Sequence, residues 1–242
     1  MLLPPPRELE IDSDGMRLAA LLFLPGGRPR GGLLVCHGAG SAKENHAVMA
    51  EQAAAEGLAA LVFDFRGHGA SEGRMDGRAE HDVVAAATAL ARESGAPWIA
   101  ARGSSMGAYW LLRAAREHPG LFRALVALCP ADEAALLRGL DRFVALTETG
   151  DPDVAFYGRF DVDDLRSALK QHDLVETARG MSRVLLAHAR DDEDVPVSVS
   201  ERLVQVLAEP RRLIVLEHGG HRGPQRSPEI ARATLDWALA HG

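Results

Sequence analysis

Gly103-Ser104-Ser105-Met106-Gly107 places a serine between two glycines, in a G-x-S-x-G pattern that follows a strand-like run and opens a helix-like one. Such a serine must turn sharply between the two elements, and glycines on either side leave room for the strained backbone. The turn lifts the hydroxyl out of the sheet edge, where it could attack a carbonyl carbon. A serine hydroxyl is a poor nucleophile at neutral pH unless a base takes its proton. The candidate base is His221, in Glu217-His218-Gly219-Gly220-His221 after the last strand-like run. His218 reads as an ordinary loop residue. A zinc pair His218/His221 is not expected, because i, i+3 spacing on a Gly-Gly loop fixes no common face and no third ligand stands out.

The base in turn needs a carboxylate to hold its tautomer. Asp191, Asp192, Glu193 and Asp194 crowd the loop before Val195-Pro196, and most of these acids should be solvated loop charges. A negative tetrahedral oxygen needs two fixed N–H donors. The amide of Met106, at a helix N-terminus, is one candidate. Cys36-His37-Gly38-Ala39-Gly40, a glycine-rich turn after another apolar run, should supply the other. That turn matches neither G-x-x-x-x-G-K-[ST] nor G-x-G-x-x-G, so a phosphate loop is not expected.

These loops need a scaffold that brings them to one edge. Residues 8–24 alternate weakly and break at Asp12-Ser13-Asp14-Gly15, which reads as a hairpin. Short continuous apolar runs follow at 33–36, 59–63, 98–101, 124–128, 184–187 and 213–216. Runs of that kind suit a parallel sheet covered on both faces. Helix-period segments lie between them, at about 44–56, 78–94, 106–117, 198–208 and 227–240. The alternation predicts an α/β fold: a mostly parallel central sheet, right-handed crossovers and helices on both faces. No repeat or linker divides the chain, so residues 1–242 are expected to form a single domain. The rhythm fails at about 130–182, where helix-like pieces at 132–146 and 161–178 carry Phe143, Phe156, Tyr157 and Phe160. An aromatic insertion beside a catalytic edge predicts a small helical lid whose rings line the substrate pocket. The same rings could equally anchor two extra helices to the core.

Composition sets outer bounds. The chain is 47% hydrophobic and 25% charged, with a net charge of −7 and no basic run of the kind that grips nucleic acid. Only Lys43 and Lys170 are lysines among its 27 basic residues. No stretch approaches the ~20 apolar residues of a membrane span, and the first residues do not read as a signal peptide. A cytoplasmic protein with no nucleic-acid or membrane partner is expected. Cys36 and Cys129 each end an apolar run and read as free buried thiols.

In order along the chain stand His37-Gly38-x-Gly40, Asp64-Phe65-Arg66-Gly67-His68-Gly69-x-Ser71, Gly-x-Ser105-x-Gly, the insertion, the acid loop and Gly220-His221. This order resembles the α/β-hydrolase family from about residue 8 to the end. It is most similar to compact serine esterases with a short lid: bacterial carboxylesterases, feruloyl esterases, and the dienelactone-hydrolase-like and monoacylglycerol-lipase-like branches. The resemblance implies that Asp192 is the triad acid, since the family's loop often reads G-x-x-D-x-x-V-P. Ala189 replaces the usual glycine here, which leaves Asp191 in reserve. Asp132 is a further alternative, as some relatives carry the acid after the preceding strand. The resemblance also assigns the second oxyanion amide to Ala39 and a structural role to Asp64 and His68.

It implies a Ser105–His221–Asp192 esterase for small to medium carboxylic esters, acting through an acyl-enzyme with no metal or organic cofactor. A serine nucleophile sets it apart from relatives that use Asp or Cys there. A hydroxycinnamate ester is a specific expectation, given the aromatic insertion. A thioesterase or peptidase is the alternative chemistry, and a peptidase would need an acid such as Asp132, Glu133 or Asp161 beside the pocket. A non-catalytic binding protein of the same fold is the remaining reading. A homodimer is compatible with the sequence.

Overall fold

The computed structural model describes residues 3–152 and 154–242, with the side chains of Ala155 and Phe156 outside that description. The chain opens with the hairpin β1 (Arg7–Ser13) and β2 (Met16–Phe23). Asp14 and Gly15 turn it with φ of 53° and 76°, the positive values that a two-residue hairpin turn requires. There follow β3 (Gly31–Cys36), α1 (Ala47–Ala55), β4 (Leu58–Phe63), α2 (Glu80–Ser94), β5 (Ile99–Ser104), α3 (Met106–Glu117) and β6 (Ala124–Leu128). Four helices then intervene: α4 (Glu133–Thr149), α5 (Val154–Tyr157), α6 (Val162–Gln171) and α7 (Leu174–Ala178). The chain closes with β7 (Val184–Ala189), α8 (Ser198–Val206), β8 (Arg211–Leu216), α9 (Gly223–Arg226) and α10 (Pro228–His241).

The eight strands form one sheet in the order β1-β2-β4-β3-β5-β6-β7-β8. From β4 to β8 every neighbouring pair is parallel, and β2 joins β4 antiparallel. β3, β4, β5, β6 and β7 are buried along their whole length, which explains why four of them read as unbroken apolar runs. The chain steps from β3 to β4 on one side and then returns to β5 on the other. That reversal opens a crevice at the carboxyl ends of β3 and β5, where open α/β sheets bind their ligands. One core packs α2, α3 and α8 against the sheet, and a second packs α1 and α10 on the opposite face.

Three departures from the sequence expectation have physical causes. β5 continues through Arg102, Gly103 and Ser104, because its ladder partners β3 and β6 continue beside it; polar residues there hid the strand. The expected helix at 44–56 begins as a 3-10 turn over Lys43–His46, pinned where the Lys43 amide donates to Asp64 at 2.7 Å. The insertion is helical as expected, but Gly150 and the caps Asp161 and Asp173 divide it into four helices.

A buried cation holds the loop after β4. The Arg66 guanidinium, fully buried, meets Asp82 at 2.7 Å, Asp76 at 3.0 Å and Asp14 at 3.0 Å. Asp82 also accepts the Arg66 amide at 2.8 Å and the Ser13 hydroxyl at 2.7 Å, so one carboxylate ties the hairpin, this loop and α2 together. Removing one partner of a buried ion pair strands the other charge, at about 3–5 kcal/mol. Asp82→Ala is expected to lower urea-derived stability by roughly 3 kcal/mol, whereas Glu10→Ala, on the exposed face, should change it by less than about 0.5 kcal/mol.

Candidate active site

Ser105 sits at the junction of β5 and α3 with φ 52° and ψ −117°. A non-glycine residue held there costs on the order of 1–3 kcal/mol. A Cβ on Gly103 would lie 2.5 Å from the Gly107 oxygen, and one on Gly107 would strike the carbonyl oxygens of His37 and Cys36. Both glycines are therefore demanded by close backbone approach. The turn is pinned by the Ser105 amide donating to Leu128 at 2.8 Å and by its carbonyl accepting from Ala108 at 3.0 Å.

In the acid loop one carboxylate meets His221. Asp192 Oδ2 accepts from His221 Nδ1 at 2.8 Å, while Oδ1 accepts the amides of Asp194 at 3.0 Å and Val195 at 2.9 Å. Its carboxylate is fully buried. Burial would raise its pKa, yet hydrogen bonds from His188, His221 and the Val195 amide outweigh that and hold it well below the usual carboxylate range. With Nδ1 donating to Asp192, the His221 ring presents Nε2 as an acceptor. Asp191 does a different job: its carboxylate accepts the amides of Gly220 at 2.8 Å and Gly219 at 3.1 Å, fixing the glycine loop that carries His221. Asp132 lies elsewhere, capping α4 through the Ala135 amide at 2.9 Å and pairing with Arg202 at 3.0 Å. His218 is exposed.

The turn after β3 is braced from beneath. Buried His37 donates from Nδ1 to the Gly38 carbonyl at 2.7 Å and accepts the Phe65 amide on Nε2 at 3.0 Å. Asp64 accepts the Lys43 ammonium at 2.8 Å and the Ala70 amide at 3.0 Å, which matches the structural role expected of it. A Cβ on Gly38 would come within 3.4 Å of the Ser105 Cβ. Ala39 and Met106 line the same cavity as Ser105 and His221. Neither of their amides has an acceptor among the described residues.

That cavity measures about 740 Å³. Phe143, Tyr157 and Phe160 form part of its wall, with the Phe143 and Phe160 rings 4.7 Å apart. The side chain of Phe156 lies outside the described residues. His68 stacks edge-on against Phe160 at 5.5 Å, its protonated form opposed by burial. Cys129, Asp192 and His221 bring possible ligand atoms within 4.8 Å of one another. Burial raises the Cys129 thiol, however, so the thiolate that a metal would need is disfavoured. Both cysteines are free and buried.

Two residues here escaped the sequence reading. His188, in β7, donates from Nε2 to the Val195 carbonyl at 2.9 Å and to Asp192 at 3.2 Å, and Nδ1 accepts the Ser200 hydroxyl at 2.8 Å. It buttresses the acid from behind; a histidine inside an apolar strand just ahead of an acid loop was the available signal. Arg102, a charge within β5, also faces the cavity.

A family model described as serine aminopeptidase, S33, matches residues 27–149. An uncharacterized protein of Mycobacterium tuberculosis strain H37Rv is 30% identical over 230 residues, covering 92% of this chain and 75% of that protein. Among solved structures, Est1E from Butyrivibrio proteoclasticus with bound ferulic acid superposes with a TM-score of 0.78 at 22% identity, covering 96% of this chain and 98% of that one. The alpha/beta hydrolase GrgF from Penicillium sp. sh18 gives 0.77 at 20% identity, covering 98% and 99%.

Burial holds His37 and His46 down to about 4 and His68 to about 3. In the unfolded chain histidine titrates near 6.5, so below that pH the unfolded state binds more protons than the folded one. Stability is therefore expected to be fully present above about pH 6.5 and to fall below it, down to about 4 for His37 and His46 and about 3 for His68, by about 2 kcal/mol per ring at pH 5. Urea unfolding at pH 7.5, 6 and 5 checks this, and His68→Gln should make the decline shallower whatever it does at pH 7.5.

Proposed function

This chain belongs to the α/β-hydrolase family, and from that premise we propose that it hydrolyses small to medium carboxylic esters through an acyl-enzyme on Ser105. The observation that carries the reading is the 2.8 Å hydrogen bond from His221 to buried Asp192, made at the rim of the cavity onto which the strained Ser105 turn opens. Ser105 Oγ attacks the ester carbonyl while His221 Nε2 takes its proton. Asp192 holds the ring in the tautomer that leaves Nε2 free and stabilises the imidazolium. The amides of Ala39 and Met106 donate to the tetrahedral oxygen. As the C–O bond breaks, His221 returns the proton to the leaving alcohol. Water then attacks the acyl-enzyme with His221 again as base, releasing the acid and restoring the serine.

The helices α4 to α7 serve as the lid in this reading. Phe143, Tyr157 and Phe160 offer aromatic rings to the cavity wall, which suits an aromatic acyl group. Est1E, which holds ferulic acid, shares the fold, so hydroxycinnamate esters are the aromatic substrates to try first. The peptidase alternative has the name of the matching family model behind it. An aminopeptidase needs a carboxylate to receive the cationic peptide terminus. Asp132, Glu133 and Asp161 do not line the cavity, and Asp194 is the one acid that does among the described residues. Ester cleavage is the better fit.

Hydrolysis of p-nitrophenyl esters from C2 to C12 tests the proposal. Activity should peak at short chains, and Ser105→Ala should lower kcat by roughly 10⁴-fold or more. Turnover of aminoacyl p-nitroanilides by a folded protein inert towards every ester would replace this reading with the peptidase one.

A further inference from the structure

Arg102 is 2% exposed and points to the sheet face covered by α1 and α9. A guanidinium carries five N–H donors and no acceptor. Its contacts are the Met49 sulfur at 2.6 Å and the Gln225 carbonyl oxygen at 3.5 Å, and its Nε has no partner among the described residues. A thioether is a weak acceptor and 3.5 Å is at the limit of a hydrogen bond. No carboxylate pairs with Arg102 among the described residues. The other buried arginines are different: Arg66 meets three aspartates, and Arg113 meets Glu80 at 2.8 Å and Glu117 at 3.1 Å. Burial without an acid lowers the Arg102 pKa to about 10, which still leaves it charged at neutral pH.

A buried cation without a counter-ion is a standing cost to the fold. This one lines the cavity of Ser105 and has company there. Arg138, Arg142, Arg222 and Arg226 line it too, against Asp194 alone among the described residues, in a chain whose net charge is −7. Asp194 is already shared: its carboxylate lies 3.5 Å from Arg142, and its carbonyl accepts from Arg138 at 3.3 Å. Arg222 and Arg226 are exposed and make no ion pair among the described residues. A cleft lined by one sign of charge between low-dielectric walls concentrates ions of the opposite sign.

We propose that Arg102 is the seat of an anionic oxyacid group, a carboxylate or a phosphate, carried by the substrate, so that the preferred esters are anionic. The planar fork of the guanidinium suits two oxygens of such a group at once. Met49, flexible and unbranched, can swing off the fork as the anion enters. The outer arginines draw the anion in. The seat is independent of the chemistry at Ser105; the substrate preference rests on the hydrolase reading above.

Anion binding is read first, without turnover, as the thermal shift produced by glutarate or inorganic phosphate against chloride at equal ionic strength. At least one of the two should raise the Tm of the wild type, and the one that does identifies the group. Arg102→Met should abolish the shift while leaving the ligand-free protein as stable or more so, because an unpaired buried charge is gone. Kinetics follow: kcat/KM for p-nitrophenyl hemiglutarate should exceed that for p-nitrophenyl valerate at least tenfold. Arg102→Met should cut that ratio at least tenfold, mainly through KM. If Arg102→Met does not fold, Arg102→Lys, which keeps charge but loses the fork, should weaken the anion at least tenfold. Absence of any shift beyond chloride, or a shift that Arg102 variants leave intact, would overturn the seat. Anion binding through Arg102 with no ester turnover would leave the seat standing and remove the ester chemistry. Turnover with neither anion binding nor anion preference would do the reverse.

Discussion

β3, β5 and the first turn of α3 meet backbone to backbone at Gly103 and Gly107, with no side chain between them. Everything at the site inherits that contact. It forces Ser105 into a left-handed conformation, seats the amide of Met106 at the start of α3, and brings Gly38 against the serine. The strain at one residue is small beside the burial of five complete strands, so the sheet can hold a conformation that an isolated turn would relax. The remaining groups reach this point because β7 and β8 run parallel to β5, so that the loops after them leave the same edge.

On that edge the polar groups divide their labour by burial. Asp192 is buried and accepts from two histidines, His221 in front and His188 behind. Asp191, one residue away and facing solvent, accepts two glycine amides and shapes the loop that brings the histidine in. Arginines divide in the same way. Arg66 is enclosed by acids and acts as mortar between the hairpin and α2, whereas Arg102 meets only a thioether and one long carbonyl contact and leaves its Nε unpaired among the described residues.

How much of this could be read from the chain depends on whether the cause was local. The G-x-S-x-G turn was legible because a tight strand-to-helix turn restricts residue type within five positions. The parallel sheet was legible because strands covered on both faces must be apolar throughout. Which carboxylate meets His221 was not a local property: Asp191 and Asp192 differ only in which side of the loop faces the sheet, and the family pattern, not periodicity, separated them. β5 read three residues too short because Arg102 and Ser104 interrupt its apolar run. The roles of His188 and Arg102 depend on what lies across the sheet and between helices, information that no window of sequence contains. The helical insertion was visible as a broken rhythm, but its division at Gly150, Asp161 and Asp173 follows capping chemistry that a coarse periodicity passes over.

The crossover from β6 to β7 leaves the sheet and returns to the adjacent strand, so its ends are fixed by a pairing that does not depend on what lies between. The entropy of closing such a loop grows only logarithmically, about 0.6 kcal/mol for each doubling of length. Helices α4 to α7 can therefore change in length at little cost in closure entropy, provided the core they share through Leu165, Leu169, Leu174 and Ala178 stays filled, while the strands that lead to Ser105, Asp192 and His221 stay in place. The architecture separates a fixed sheet edge from a variable crossover, so the second can diverge while the first keeps its register.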